Sequence, residues 1–195
     1  MPRIDDASIA RLFTDARSIH RFDGRAVDDA TLHALYDLLK LGPTGFNAQP
    51  GRYLFIRSAE AKAQLADGMS SANRDKTLAA PLNVVVAYDT RFHEHLPTQF
   101  PAYDAKAFFD QSPDWIEPTA RTNATLQAAY LIFAARALGL DVGPMSGFKA
   151  DRVDAAFFPD GRYRSLLLAN IGYGVRDGLP PRGPRLAFDD AVSVL

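Results

Sequence analysis

Three observations in the sequence predict an α+β fold. Helical and strand-like patterns are interspersed without steady βαβ alternation. Three short apolar segments read as strands, the second of them rich in β-branched residues. One long helix of small residues separates the second of these from the third. The chain has 195 residues, 47% of them hydrophobic, which suffices for one well-buried core and predicts a single domain over 1–195.

Each element has its own signal. Asp5 or Asp6 can cap a first helix through Leu12 and Phe13. A second helix begins after Asp28 or Asp29, places Leu32, Leu35, Tyr36, Leu38 and Leu39 on one face, and stops at Gly42-Pro43. Tyr53 to Ile56 reads as a buried strand, after which Ser58 caps a helix through Leu65 to Met69. Asn83 to Tyr88 is the second strand. From about 90 to 118 the pattern breaks: Pro97, Pro101, Pro113 and Pro118 punctuate a stretch crowded with Phe92, Phe100, Tyr103, Phe108, Phe109 and Trp115. Such an insertion is expected to be functional or a lid. Thr119 to Leu138 is the long helix, Lys149 to Phe158 a short one, and Ser165 to Gly172 the third strand. The tail "GLPPRGPRLAF" is too rich in proline and glycine for a helix and is expected to lie extended on something. With the apolar central helix it raises the expectation of an embracing dimer.

Composition narrows the chemistry. A net charge of -1 gives no electrostatic sign of nucleic acid or of an anionic membrane. The absence of cysteine rules out disulfides, zinc–thiolate sites, iron–sulfur clusters and thiol nucleophiles. The start "MPRIDDASIARLFTDA" is acidic where a signal peptide needs a basic region, and the longest apolar run, Ala128 to Ala135, is far short of the ~20 residues of a membrane helix. A soluble, cytoplasmic protein is expected.

The usual motifs are missing. No G-x-G-x-x-G follows a strand and no P-loop occurs; Gly172-Tyr173-Gly174 opens no helix and reads as a tight turn. "GPMSG" is out of register for the G-x-S-x-G nucleophile elbow, and no histidine follows Ser146, so a hydrolase is rejected. His93 and His95 flank Glu94 and would point the same way in an extended segment, but the loop shows no framework for a third ligand. No metal site is assigned.

Four polar clusters gain meaning together. "DARSIHRF" carries Arg17, Ser18, His20 and Arg21; "GPTGFNAQP" carries Asn47 and Gln49; "NRDK" spaces Asn73 and Lys76; "PRGPR" carries Arg182 and Arg185. Alone, each reads as solvated charge or a stabilised turn. As a set they suit a flavin mononucleotide (FMN): arginines and a hydroxyl for a phosphate, amides and a cation for a pyrimidine edge. The stretch "LGLDVGPMSGF" adds Gly143-Pro144-Met145-Ser146-Gly147, expected to be a bare backbone turn able to present N–H groups to something flat.

These clusters, their order, and "LFTDAR", "QAAYLI", "RALGLD", "GPMSGF", "NIGYG" and "PRL" resemble the FMN-dependent nitroreductase family over nearly the whole chain, most closely its malonic semialdehyde reductase branch, linked to pyrimidine catabolism. The resemblance implies an α+β sandwich with a central mixed sheet flanked by helices, an extended C-terminal tail, and an entwined homodimer sharing two FMN sites. It implies phosphate contacts from Arg17, Ser18, Arg182 and Arg185, and pyrimidine contacts from Asn73 and Lys76. Asn47, Gln49 and Asn123 are implied to come from the partner chain, and Pro144, Met145, Ser146 and Gly147 to form the turn over the ring. His20 stands where a Lys or Arg is common, Ala16 where a basic residue is, Gly51 where an aromatic is, and Ser146 where an acid is. The implied activity is ping-pong hydride transfer from NADPH or NADH through flavin N5 to a small semialdehyde. A broad nitro or quinone reductase and a non-catalytic flavin-binding protein are the alternatives. No catalytic acid–base residue is assigned.

Overall fold

The computed structural model describes residues 2–195. Four strands form one sheet in the order β1 (Gly51–Ile56), β2 (Leu82–Asp89), β4 (Tyr163–Gly172), β3 (Asp141–Met145). Every pair is antiparallel, so the sheet is not mixed; the one parallel feature is an isolated bridge from Ser18 to Val142.

β2 is central and buried at all eight positions, so the period of two sorts its side chains to opposite layers. Val84 and Val86 pack with Leu35 and Leu39 of α2 (Asp29–Leu39) and Leu131 and Ala135 of α7 (Ile116–Ala137). Val85 and Ala87 pack with Leu65 of α3 (Ala59–Asp67) and Val153 of α8 (Ala150–Phe157). Helices thus cover both faces of the sheet. Asp28 and Ser58 cap α2 and α3 through their side chains. On α2 only part of the expected face is buried: Tyr36 and Leu38 are exposed.

Two elements depart from the sequence reading. Residues Gly143, Pro144 and Met145 belong to β3 and not to a turn; the bare turn is confined to Ser146 and Gly147. Val142 accepts a bond from the Ile19 N–H, so by strand alternation Pro144 also turns its backbone polar groups to the outer edge. An edge is where a residue without an N–H is tolerated in a sheet. The second departure is α4 (Ser71–Ala79), whose polar sequence gives no periodic signal.

The insertion folds as short pieces: a 3₁₀ turn at Phe92–His95, α5 (Leu96–Gln99), α6 (Ala105–Gln111) and a 3₁₀ turn at Pro113–Trp115. Phe92 and Phe109 anchor it in a satellite core with Tyr88, Ala120 and Ala124. His93 and His95 do not point together, because the segment is helical. The His93 ring approaches Asp110 and the His95 ring approaches Asp89, each at 3.8 Å. The tail beyond Gly178 is irregular up to a single helical turn, α9 (Phe188–Ala191). Among the described residues no helix is long and apolar enough to cross a membrane.

Candidate functional site

The polar clusters gather into two sets. The first lines the outer edge of β3. Chain 17–20 can cross that edge because residue 143 is glycine: a Cβ there would lie 2.1 Å from the Ile19 carbonyl oxygen. This close approach seats Arg17, Ser18 and His20 beside the strand.

The segment is also held from its N-terminal side. The first helix, α1 (Asp6–Ile9), runs into a π-turn at Ala10–Thr14, and the carbonyls at and beyond its end lack helical partners. Arginines supply them. Arg136 donates to Leu12 O at 2.8 Å and Arg176 to Asp15 O at 2.8 Å. Arg182 Nη2 lies 3.2, 2.7 and 2.6 Å from the carbonyls of Phe13, Thr14 and Ala16. In return Arg17 donates to Pro180 O and Arg21 to Asp177 O, both at 2.5 Å. The tail is therefore strapped to 13–21 by guanidinium–carbonyl bonds in both directions.

Between strap and edge lies a cavity of about 380 Å³ whose lining includes Arg17, Ser18, His20, Arg136, Arg182 and Arg185. Arg185 is exposed and turns back on the carbonyls of Gly183 and Pro184. Arg182 spends one nitrogen on backbone and acts there as a clamp. Arg136 carries no distinctive sequence signal, since an arginine in a helix's last turn is ordinary dipole compensation. Burial pulls its pKa down, and Arg182 and Arg176 nearby push the same way against Asp141.

The same edge continues to the turn. Gly147 O accepts from Ser70 N at 3.1 Å and Asn73 Nδ2 at 3.0 Å, which docks the start of α4 on the turn. A Cβ on Gly147 would lie 2.7 Å from Asn73 Nδ2 and 3.0 Å from Ser70 Oγ. Among the described residues no acceptor is found for the N–H of Ser146 or Gly147, both exposed. The last turn of α4 is fixed from below: buried Asn170 donates to Lys76 O at 3.0 Å, and Asn83 to Thr77 O at 3.0 Å and Asn170 Oδ1 at 2.7 Å. Lys76 is so placed that it depresses the His20 pKa; partial burial of the ring is the larger cause, and both act below the ordinary 6.5. His20 therefore stays neutral further into acid than a free imidazole.

The second set sits on the turn between α2 and β1. Asn123 of α7 accepts from Gly45 N at 2.7 Å, Thr44 Oγ1 accepts from Gln49 N at 3.1 Å, and Gln49 Nε2 donates to Asn47 Oδ1 at 3.0 Å. Three non-glycine residues here are left-handed: Phe46 at φ 56°, Asn47 at 47° and Gln49 at 43°. Such backbone costs roughly 1–3 kcal/mol per residue and persists where surroundings over-determine it. The Phe46 ring is held edge-on by Phe100 and Phe109, at 5.7 and 6.0 Å, and lies nearly parallel to Tyr103 at 6.3 Å. Among the described residues no hydrogen bond joins this set to the first. One chain carries two polar clusters that do not meet.

The fold brings arginines, a hydroxyl, an amide and a bare turn together along one sheet edge. The chain belongs to the nitroreductase family, whose model matches residues 14–173. A protein of Rhodopseudomonas palustris (strain TIE-1), provisionally named NADH dehydrogenase/NAD(P)H nitroreductase, is 54% identical over 192 residues, 98% of either chain. A solved Bacillus subtilis structure, provisionally named a nitroreductase, superposes with a TM-score of 0.84 at 20% identity, over 98% of this chain and 100% of that one. Another from Exiguobacterium sibiricum 255-15, also provisionally named a nitroreductase and solved in complex with FMN, gives 0.81 at 22% identity over 100% of both chains. Likeness at those identities speaks for the fold.

Proposed function

We propose that this protein is an FMN-dependent NAD(P)H oxidoreductase that moves hydride from NADPH or NADH to a small-molecule acceptor in two half-reactions. The observation that carries the reading is the β3 edge, where a basic, hydroxyl-bearing cavity, an amide, a cation and an exposed turn with two unpaired N–H groups are aligned. The residues fit FMN. Arg17, Ser18 and Arg185 suit its phosphate; Asn73, with Oδ1 unengaged, and Lys76 suit its pyrimidine edge. The Ser146–Gly147 turn suits the ring, because Gly147 has no side chain and a Cβ would press on Asn73. When bound, FMN supplies reversible hydride acceptance at N5. The chain's own part is to hold it, set Lys76 beside it, and leave a backbone N–H free.

The amides of Asn47, Gln49 and Asn123 enter this reading through a second copy of the chain. The proposal therefore includes a homodimer with two shared sites, acting in the cytoplasm. For the acceptor we propose a small aldehyde bearing a carboxylate, malonic semialdehyde first, reduced to 3-hydroxypropionate. Its carboxylate needs a cation, for which Arg21, His20 and Arg121 are the candidates. Arg21 is engaged at Asp177, and Arg121 lies over the Tyr88 ring near Glu117. Gly51 does not open space for it, since a Cβ there would meet Tyr53 Oη at 2.7 Å and Gln127 Oε1 at 2.8 Å. The half-exposed Phe46–Tyr103 pair favours a second reading, a broad nitro or quinone reductase.

The purified protein is expected to be yellow, to bleach anaerobically with NADPH or NADH and to recolour in air. A colourless protein that takes up no FMN removes the reading, and a yellow one that neither nucleotide bleaches reduces it to a flavin-binding protein. Comparison of kcat/KM for malonic semialdehyde, propionaldehyde, a nitroaromatic and a quinone decides the acceptor. A lead of more than tenfold for the nitroaromatic or quinone, with no saturable semialdehyde rate, replaces the first reading by the second.

A further inference from the structure

Arg136 lines the cavity between strap and edge and also lines another of about 700 Å³. Arg11 and Asp15 from the N-terminal segment, Arg136 and Gly139 from the end of α7, Asp141 of β3, and Arg176 contribute to its wall. Its arginines are not equivalent. Arg176 is paired with Asp141 at 2.6 Å, which neutralises both. Arg11 and Arg136 have no carboxylate partner among the described residues. Arg11 donates through Nε to Arg136 O at 2.6 Å, and its Nη2 rests over Gly139, where a Cβ would lie 2.7 Å away. Gly139 also has φ +87°, so both the helix stop and the seat of the guanidinium require glycine. The remaining N–H groups of Arg11 are left for another acceptor. The Asp15 carboxylate, exposed on the same wall, has no hydrogen-bond partner among the described residues.

Three arginines against Asp15 and Asp141 leave the wall one positive charge in excess; two guanidiniums without an ion-pair partner suit a phosphate, and the unengaged Asp15 carboxylate beside them suits a hydroxyl donor. That pairing belongs to a phosphorylated ribose. Arg136 forms a wall common to this cavity and to the cradle proposed for FMN. We infer that the cavity receives the 2′-phosphate-bearing ribose of NADPH, and that this protein selects NADPH over NADH there. Arg11 and Arg136 bind the phosphate and Asp15 accepts from a ribose hydroxyl. The inference rests on the NAD(P)H oxidoreductase reading for its donor, and its site lies apart from Asn73, Lys76 and the Ser146–Gly147 turn.

Titration calorimetry of the FMN-loaded protein tests it with three probes: adenosine 2′,5′-bisphosphate, 5′-AMP and inorganic phosphate. The bisphosphate is expected to bind at least tenfold tighter than either of the others. Arg11→Gln should lower its affinity by roughly ten- to a hundredfold, the loss of one charge-assisted bond, and Arg11→Lys should retain part of it. The ratio of KM for NADH to KM for NADPH should fall in parallel. Equal binding of bisphosphate and AMP overturns the inference, as does an Arg11→Gln protein that keeps full affinity; phosphate binding as tightly as the bisphosphate reduces the cavity to a simple anion site and overturns it too. Flavin absorbance and bleaching by NADH are read on the same samples. A protein without flavin that still prefers the bisphosphate leaves this site standing and removes the oxidoreductase reading, whereas a yellow, NADH-bleached protein blind to the 2′-phosphate does the reverse.

Discussion

The β3 edge and the 44–49 turn carry comparable sets of polar side chains but are built in opposite ways. The edge is assembled from four remote segments held by backbone: Ile19 lies against Gly143, Gly147 O takes two donors from α4, and arginines strap the tail to 13–21. The turn is one short stretch forced into left-handed geometry and pinned by Thr44, Asn123 and the insertion's rings. A half-site spread over the chain needs no strained residue, because each segment stays in its own preferred conformation. A half-site made locally must store strain to aim two amides and a phenyl ring from six residues.

Removing the support of each region should separate them. The largest effect is expected at Asp89, fully buried, which binds Arg52 at 2.7 Å and Arg162 at 3.1 Å; Arg52 in turn donates to Gln49 O at 3.0 Å. Asp89→Ala leaves those cations unpaired and should cost about 3–5 kcal/mol in chemical denaturation. Burial pushes the Asp89 pKa up, but bonds from Arg162 and the Arg91 N–H together with the Arg52 charge outweigh it, leaving the group below its ordinary 3.8. Its folded value is depressed, so its contribution is fully present above the ordinary carboxylate range and is lost as pH falls through the folded value. His20 behaves earlier: its folded pKa lies below 6.5, so acid begins to disfavour the folded edge once pH drops under that value. Acid titration followed separately at the two regions should show the edge responding first, below the ordinary imidazole value of 6.5, and the turn only below about pH 4. A single shared transition would erase the distinction.

Gly143→Ala comes next. Its Cβ would stand 2.1 Å from the Ile19 oxygen, so the 17–20 crossing must shift, at about 3 kcal/mol or more by the cost of overpacking. Flavin retention should fall with stability; an unaltered melting curve would show that the crossing is not needed. Arg17→Ala touches the edge without disturbing the sheet. It should weaken FMN by roughly ten- to a hundredfold, or ~1.5–3 kcal/mol, in a folded and paler protein. The smallest effect is expected from Gln49→Gly. Relief of a φ of 43° should offset most of the one lost amide bond, to Asn47 Oδ1, and leave stability within about 1 kcal/mol, while flavin retention drops in the dimer. Sedimentation with flavin absorbance checks this: a monomer that holds FMN in full would show that the turn serves no shared site.

The elements with local signals were legible. Asp28 and Ser58 cap where their side chains can reach the first-turn N–H groups, and β1, β2 and β4 announce themselves through Tyr53, Phe55, the Val84–Val86 run and Leu166–Leu168. β3 was hidden because glycine and proline are strand breakers everywhere except at an edge, and whether a strand is an edge is a property of the sheet. α4 was hidden because Asn73, Arg74, Asp75 and Lys76 give no apolar stripe; its burial comes from Asn73 and Thr77 against the turn and sheet. Of the site, the residue types were legible and their division of labour was not. Arg182 reads as a phosphate ligand in "PRGPR", yet it closes a π-turn, and Arg136 reads as a helix end, yet it divides two cavities.

By itself the sequence determined the supply of chemistry: no thiol, little net charge, four clusters of amides and cations, and strands and helices whose caps act over three or four residues. Tertiary structure alone decided that Gly143 is a crossing, that the bare turn shrinks to Ser146 and Gly147, that guanidiniums cap carbonyls more than a hundred residues away, and that the two polar clusters of one chain stand apart. The reason is range. Propensity and capping are settled within a few residues, whereas an edge, a cavity wall or a remote carbonyl partner exists only once segments far apart in sequence have packed together.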